Sequence, residues 1–309
     1  MANENVITRP RKMKASTPML TQGGMPTLPG YVFQLNQLLS ASEPDMDAVA
    51  RVIRTDASLA MQVLRLANLY RLETQAPVRT IEAAVATVDV LRLTTMVITC
   101  PLLDCASDIE QWSCLQSFWQ HNYMTGVLAK SIAGFLQYPD PELAYMAGLL
   151  RDIGELSMIR QAQQDESAWP EVNGDLAASK RRRCEAGRRL AIACKLTPEL
   201  VEVCGSGDEV ALAWHDPQLV KIVTAASRFC TLHGLVSGGA PRQLFSASSD
   251  ETTLKFTLDL GAVRAKELSE ILQGEFRARI AELEFNASGL MRAAERPAAA
   301  IEYELMATA

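Results

Sequence analysis

Apolar residues recur along this chain with the period of amphipathic helices over almost its whole length. The repeat begins after the segment Met25-Pro-Thr-Leu-Pro29. It continues over residues 113–138, where we predict one long helix, and ends over residues 262–293, where we predict a last amphipathic helix. Strand-like alternation is weak, and residues 252–260 form its one short candidate. The sequence therefore predicts an all-α fold of many helices.

Capping residues mark where several of these helices begin. Asp140 and Asp216 each precede a proline, and an aspartate cap followed by proline at the first helical position is a typical helix start. The pair His215-Asp216 therefore belongs to a helix start. The predicted caps of three earlier helices are Asp56 or Ser58, Thr80 and Asp89.

The chain divides into four predicted parts, and the second of them contains most of the helices. The boundaries follow changes in apolar periodicity and stretches rich in helix breakers. The parts are a flexible basic N-terminal arm over residues 1–24, a helical domain over 25–235, a linker with a C-terminal helical extension over 236–296, and a frayed tail over 297–309. The helical domain consists of an N-terminal half, residues 25–111, and a second half, residues 112–235.

Charge and composition disfavour several classes of protein. A formal net charge of −6 disfavours nucleic-acid binding, because proteins that coat nucleic acids carry basic domains. The best candidate for a membrane span, residues 85–103, is interrupted by Asp89, Arg92 and Pro101. The seven cysteines include no CxxC pair, which is typical of reduced thiols in a cytoplasmic protein.

The chain contains few residues of the kind that ordinary metalloenzymes need. Its three histidines are His121, His215 and His233, and it has no HExxH, GxSxG or phosphate-loop motif. We therefore expect no catalytic residue, no bound metal and no cofactor.

The most informative motif is Ala147-Gly-Leu-Leu-Arg-Asp-Ile-Gly-Glu-Leu156, which follows the long predicted helix that carries His121. Three segments of the N-terminal half accompany it, namely Met25-Pro-Thr-Leu-Pro29, Asp56-Ala-Ser-Leu-Ala-Met-Gln-Val-Leu-Arg-Leu-Ala-Asn68 and Pro77-Val-Arg-Thr-Ile-Glu82. Together these ordered motifs resemble the HDOD family, the signalling offshoot of the HD superfamily of metal-dependent phosphohydrolases. The resemblance covers residues 25–232, continues more weakly to residue 293, and implies an HD-like helical domain with an extra C-terminal helix.

The resemblance also implies where the metal ligands of an active HD enzyme would lie. Such enzymes hold one or two divalent ions with histidines and aspartates from several helices. His121 and Asp152 remain in this sequence, whereas the histidine expected before Asp152 is replaced by Arg151. The positions that correspond to the ligand set are His121, Arg151, Asp152, Arg183, Gly205, Ser206 and Ser227. Two ligands do not hold a catalytic metal, so the resemblance implies a vestigial site.

Arg151 is expected to take the place of the lost ion. An arginine side chain stays protonated and only donates hydrogen bonds, so it cannot ligate a cation. We expect its charge to pair with Asp152 and to let the surrounding helices pack without metal.

A run of basic residues lies on a helix predicted over residues 179–195. Seven-residue spacing places Arg181 beside Arg188 and Arg182 beside Arg189 on such a helix. This stripe is either a solvated face or a surface for an acidic partner or a phosphate-bearing ligand. Its members are Lys180, Arg181, Arg182, Arg183, Arg188 and Arg189.

The resemblance implies a bacterial signal-transduction or regulatory protein that is not an enzyme and acts by binding a protein partner. Relatives often carry receiver or cyclic-di-nucleotide domains, so the expected partner is a component of such a system on a separate chain. A groove near Phe118, Trp119 and Tyr145 is one predicted contact surface. A homodimer is also left open, and no membrane partner is expected.

Two alternative functions stay open at this point. The former metal cavity could be an anion pocket, lined by Arg151 and Arg183, that senses a phosphorylated small molecule or nucleotide. The chain could instead be a residual metal-dependent phosphohydrolase that uses His121 and Asp152. Thermal stabilisation by a phosphorylated ligand would indicate the first function, and divalent-ion binding the second.

Overall fold

The computed structural model describes residues 27, 29–70, 76–98, 109–156, 176–207, 209–210, 213–236 and 249–294. Within these ranges the chain forms twelve α-helices and no strand, so the predicted all-α class is confirmed. The helices are α1 (Pro29–Leu39), α2 (Met46–Arg54), α3 (Ala57–Tyr70), α4 (Ile81–Thr87), α5 (Val90–Ile98), α6 (Ile109–Phe135), α7 (Pro141–Leu150), α8 (Leu176–Ala193), α9 (Pro198–Ser206), α10 (Pro217–Leu232), α11 (Asp250–Leu258) and α12 (Ala262–Ala294). The predicted arm, residues 1–24, and the predicted tail, residues 297–309, lie outside the described residues.

The long helix α6 is the centre of the packing. It lies against α7 and also contacts α10 and the C-terminal helix α12. Helices α1 to α5 pack chiefly among themselves, with α1 against α2 and α5, and α4 against α2 and α3. Helix α8 packs on α9, α11 packs between α10 and α12, and α12 returns to α1. Most of the candidate site residues therefore lie on or directly after helices grouped around α6 and α7.

None of the described helices is both long enough and apolar enough to cross a membrane.

The predicted helix caps are present. Asp140 and Asp216 each accept a hydrogen bond, 2.9 Å long, from the backbone amide three residues further on, at the starts of α7 and α10. Asp56 rather than Ser58 opens α3, because its Oδ1 accepts a hydrogen bond from the amide of Leu59 at 3.0 Å. The predicted caps also open α4 and α5. Local capping chemistry thus sets most of the helix starts.

The long helix ends earlier than its apolar pattern predicts. Gln137 adopts a positive φ of 56°, and the amide of Tyr138 donates a hydrogen bond to the carbonyl of Ala133 at 2.8 Å. This is the left-handed helix end that satisfies the last free carbonyls. Helix α6 therefore stops at Phe135, although apolar residues continue to residue 138.

The predicted strand candidate, residues 252–260, is wrong, since α11 covers most of it. The hydroxyl of Ser249 caps this helix by accepting a hydrogen bond from the amide of Thr252 at 3.3 Å. Leu254 and Leu258, one helical turn apart, are both buried. The short apolar pattern fits a helix and a strand equally, and the serine cap favours the helix.

The predicted groove near Phe118, Trp119 and Tyr145 is also wrong, because these side chains are only 0%, 5% and 4% exposed. The indole Nε1 of Trp119 donates a hydrogen bond to Oδ2 of Asp56 at 2.9 Å, and the hydroxyl of Thr27 donates to the same oxygen. Burial raises the pKa of Asp56. These three side chains therefore belong to the core and do not line a contact surface.

Candidate functional site

Four of the seven positions that the resemblance implies for the ligand set come together between α6, α7 and α10. We call His121, Arg151, Asp152 and Ser227 the His121 cluster. Nε2 of His121 lies 3.1 Å from the hydroxyl of Ser227 and 3.4 Å from Oδ2 of Asp152. Nη1 of Arg151 lies 3.3 Å from the same Asp152 oxygen and donates a hydrogen bond to the Ser227 hydroxyl. One guanidinium group therefore bridges the turn after α7 to helix α10.

Glycines bring the surrounding helices into backbone contact. A Cβ atom on Gly148 of α7 would lie 2.7 Å from Cα of Gly126 in α6. A Cβ atom on Gly154, just after the cluster, would lie 2.0 Å from the carbonyl oxygen of Arg183 in α8. Both distances are far below van der Waals contact, so only glycine permits this packing. The approach of α6 to α7 is what places His121 beside Asp152.

Both ring nitrogens of His121 face protein atoms. Nδ1 lies 2.8 Å from the carbonyl oxygen of Leu235, which only accepts hydrogen bonds, so Nδ1 carries a proton. In the neutral ring, Nε2 then has a lone pair that can accept from the Ser227 hydroxyl, and in the charged ring it donates toward Asp152. His121 is 2% exposed. A metal ion at Nε2 would have to displace these neighbours.

Asp152 is held in its ionised form. Burial alone would raise the pKa of Asp152, but the charge of Arg151 and the neighbouring His121 lower it well below its ordinary value. The expected ion pair between Arg151 and Asp152 is therefore present, with both groups charged at neutral pH. Arg151 itself is 8% exposed.

The residues of the His121 cluster do not fit a divalent metal. Among the residues whose placement is described, no group of three histidine, cysteine or acidic side chains is arranged to hold an ion. The nitrogen and carboxylate that remain, His121 and Asp152, both contact the Arg151–Ser227 pair. A unit positive charge about 4 Å from a guanidinium is repelled by about 4 kcal/mol at an effective dielectric constant of about 20. Arg151 thus places a positive charge beside the nitrogen and the carboxylate of the cluster that could ligate an ion.

The other three vestigial positions have different surroundings. Nη1 of Arg183 lies 3.4 Å from Oε2 of the buried Glu155. The hydroxyl of Ser206 donates a hydrogen bond within its own helix, to the carbonyl of Val203 at 3.5 Å. Gly205 packs against the side chain of Arg188. No hydrogen bond or ion pair in the described residues joins these three to the His121 cluster, although the charge of Arg183 also helps to lower the pKa of Asp152.

The two arginines of the predicted anion pocket already have carboxylate neighbours. Arg151 pairs with Asp152, and Arg183 pairs with Glu155. A phosphorylated ligand would have to compete with both carboxylates for these guanidinium groups. Glu155 was not singled out in the sequence, although it lies four residues after Arg151 in the same motif. Its partner on α8 is distant in the chain, so spacing alone does not indicate the pair.

The predicted basic stripe lies at the surface. Arg181, Arg182, Arg188 and Arg189 of α8 are exposed, and Lys180 is half-buried. Nε of Arg189 pairs at 2.8 Å with Oε1 of Glu185, which lies one turn earlier in the same helix. The arginines that are paired by seven-residue spacing are therefore exposed, as the helical pattern predicts.

A surface cleft of about 710 Å³ lies elsewhere, where α7 and α10 begin. Arg79 and Asp140 form an ion pair 3.1 Å long at its wall, and the hydroxyl of Tyr138 donates a hydrogen bond to Asp216 at 2.5 Å. No residue of the His121 cluster lines this cleft. His215 lines it, and its neighbour Asp216 caps α10, as the sequence predicts for a helix start.

Together, the packed helices and the His121 cluster define a helical domain of the HD-like class, with an arginine beside its histidine and aspartate. The family model of the HDOD domain matches residues 25–202, and the chain belongs to the HDOD family. This confirms the resemblance seen in the sequence.

Solved structures with the same fold include two of bacterial proteins. One is the MmoQ response regulator from Methylococcus capsulatus str. Bath, which is 19% identical with a TM-score of 0.59, over 81% of this chain and 99% of that chain. The other is a virulence factor from Campylobacter jejuni subsp. jejuni, which is 19% identical with a TM-score of 0.56, over 79% of this chain and 94% of that one. At these identities the likeness shows the fold alone. No curated protein matches the sequence.

Proposed function

We propose that this chain is a non-catalytic signal-transduction or regulatory protein of bacteria, which acts in the cytoplasm by binding other proteins through its HDOD domain. The observation that supports the proposal is the position of the Arg151 guanidinium, which bridges Asp152 and Ser227 beside His121. In this arrangement the cluster fastens helices together. Its function is structural, and the activity of the protein then depends on its surfaces.

The chemistry of the cluster supports this reading over hydrolysis. An HD-type hydrolase needs a metal-bound water as nucleophile. The guanidinium of Arg151 neither accepts a proton nor ligates a metal, and it neutralises the carboxylate that would do both. His121 is engaged through both nitrogens, so it is not a free general base.

The family supports the signalling part of the proposal. The chain belongs to the HDOD family, and one protein of the same fold is named a response regulator. We propose that the partner is a component of a receiver-domain or cyclic-di-nucleotide system on a separate chain.

Hydrolysis assays with manganese and chromogenic phosphate mono- and diesters test the non-catalytic assignment. We expect no metal-dependent turnover by the wild-type protein. The matched variant carries Arg151→His and Ser227→Asp, which restore acceptor atoms around His121 and Asp152. We expect metal retention in this variant if the four positions correspond to the ligand set. Metal-dependent turnover by the wild type that disappears in His121→Ala would contradict the proposal.

A further inference from the structure

The exposed side of α8 carries more positive charge than its own neighbours compensate. Residues 180–189 include six basic residues and one acidic residue in a chain whose net charge is −6. Arg189 pairs with the acidic residue, Glu185, and Arg183 pairs with Glu155. No ion pair within the described part of the chain involves the remaining exposed arginines. We call these arginines, Arg181, Arg182 and Arg188, the basic face.

The shape of helix α9 supports the side chain of Arg188. A Cβ atom on Gly205, in the last turn of α9, would lie 3.1 Å from Cβ and 3.3 Å from Cδ of Arg188. The aliphatic stem of Arg188 therefore lies over α9, where a side chain at Gly205 would have to push it aside by a few tenths of an ångström. Its charged end stays in solvent, as amphipathic side chains commonly do.

Gly207, at the C-terminal end of α9, contacts a second basic side chain in the same way. Gly207 has a φ of 57°, and a Cβ atom there would lie 3.2 Å from Cε of Lys180. The stem of Lys180 thus also lies on the C-terminal end of α9. A side chain whose stem is already packed loses less conformational entropy when its charged end binds a partner. The packed stems of Arg188 and Lys180 therefore pre-organise these side chains for binding, in contrast to a run of fully mobile charged side chains.

We propose that the basic face binds an acidic surface segment of a partner protein, with Arg188 as the most strongly positioned contact. The inference rests on the proposed function and names the surface and the chemistry of the partner. Guanidinium groups pair with carboxylates through two parallel hydrogen bonds. Arg181 and Arg188 are seven residues apart, which is about 10 Å along the helix axis. This span fits a local group of carboxylates on a protein.

The same dimensions argue against nucleic acid as the partner. A duplex carries one phosphate charge per about 1.7 Å of its axis and continues well beyond a span of two helical turns. The rest of this chain is acidic, because its net charge is −6 in spite of the basic face. A long polyanion would meet that acidic surface, whereas a short acidic segment would not.

The test uses the full chain and a short fluorescein-labelled oligoglutamate peptide, with binding followed by fluorescence anisotropy at low salt. We expect the double variant Arg181→Glu, Arg188→Glu to weaken binding by about tenfold, because two attractive charges become repulsive. The matched control is Lys266→Glu, Arg277→Glu on the exposed surface of α12, which changes the net charge equally. It should change the affinity less than about twofold, because distant exposed charges are screened.

A second variant tests the support from α9 without changing any charge. Gly205→Ala should displace the stem of Arg188 and weaken peptide binding by about threefold. Gly274→Ala on α12, where a Cβ atom would meet nothing within 4 Å, should leave the affinity unchanged. Thermal melting of both variants confirms that each is folded.

Unchanged peptide binding by the charge-reversal variant would overturn the inference and leave the proposed function standing. Tighter binding of duplex DNA than of the peptide, lost in the same variant, would also overturn it, because the face would then serve nucleic acid. Metal-dependent hydrolysis by the wild type would instead remove the proposed function. The two failures are therefore distinguishable.

Discussion

Arg151 makes the contacts that hold the His121 cluster together. Its guanidinium lies 3.3 Å from Asp152 and donates to Ser227, in a position that is 8% exposed. A buried ion pair is not in itself a large source of stability, because the attraction is offset by the loss of hydration. Removal of one partner is costly, since the other charge then stays buried without compensation.

We therefore predict that Arg151→Ala lowers the free energy of unfolding by about 3 kcal/mol even though Asp152 is intact. Urea unfolding followed by circular dichroism measures the change. The matched control is Arg51→Ala on α2, whose ion pair with Asp45 is 3.6 Å long and exposed on both sides. That variant should lose less than about 1 kcal/mol. Equal stability of Arg151→Ala and the wild type would show that Arg151 does not replace the ion.

Acid should weaken the contribution of Asp152. The pKa of Asp152 is depressed in the folded protein, so the unfolded chain, with an ordinary value of about 3.9, takes up the proton first. Its contribution to stability is therefore complete above that value and is lost as the pH falls toward the folded pKa. We predict that the difference in urea midpoint between the wild type and Asp152→Asn is largest near neutral pH and shrinks below about pH 4. A difference that stays constant with pH would contradict the assignment.

The contact between α6 and α7 determines how far His121 lies from Asp152. A Cβ atom on Gly148 would lie 2.7 Å from both Cα of Gly126 and the carbonyl oxygen of Thr125. Because backbone atoms cannot rotate away, Gly148→Ala should force the helices apart and cost about 3 kcal/mol. Gly134→Ala on α6 meets nothing within 4 Å and should melt at or slightly above the wild-type temperature, because alanine favours a helix over glycine. Thermal melting followed by circular dichroism compares the two variants, and similar melting temperatures would contradict the packing argument.

The sequence predicts helices better than it predicts what lies between them. Asp140 and Asp216 cap their helices as expected, because capping depends on a few neighbouring residues. The end of α6 and the helical state of residues 252–260 were predicted wrongly, because one depends on the conformation of Gln137 and the other on a short, ambiguous pattern. Local signals therefore give the element type, and boundaries depend on backbone conformation and tertiary contacts.

The candidate site shows the same division between local and distant information. Arg151 and Asp152 are neighbours in the chain, so their pairing could be predicted. The contacts of His121 with Leu235 and of Arg183 with Glu155 join residues far apart in sequence, and no spacing indicates them. The prediction of a groove was wrong for a similar reason. Aromatic residues occur both in buried cores and at exposed binding surfaces, and the sequence alone does not distinguish the two.

On the scale of the whole molecule, α6 joins the two halves and holds the C-terminal helix. Asp56 of the N-terminal half accepts a hydrogen bond from Trp119 of α6, which lies two residues before His121. The His121 cluster thus lies among helices that also contact α9, on which α8 packs. The proposed role in partner binding depends on the surfaces of these helices.

Metal content of the purified chain tests this account most directly. The protein is incubated with manganese, iron or zinc, passed through gel filtration and analysed by mass spectrometry. We predict no stoichiometric retention of any of the three metals, because the charge of Arg151 lies beside Asp152 and would repel a cation. Retention of about one ion per chain, lost in His121→Ala, would contradict the account. The alternative function, a metal-dependent phosphohydrolase, would then be favoured.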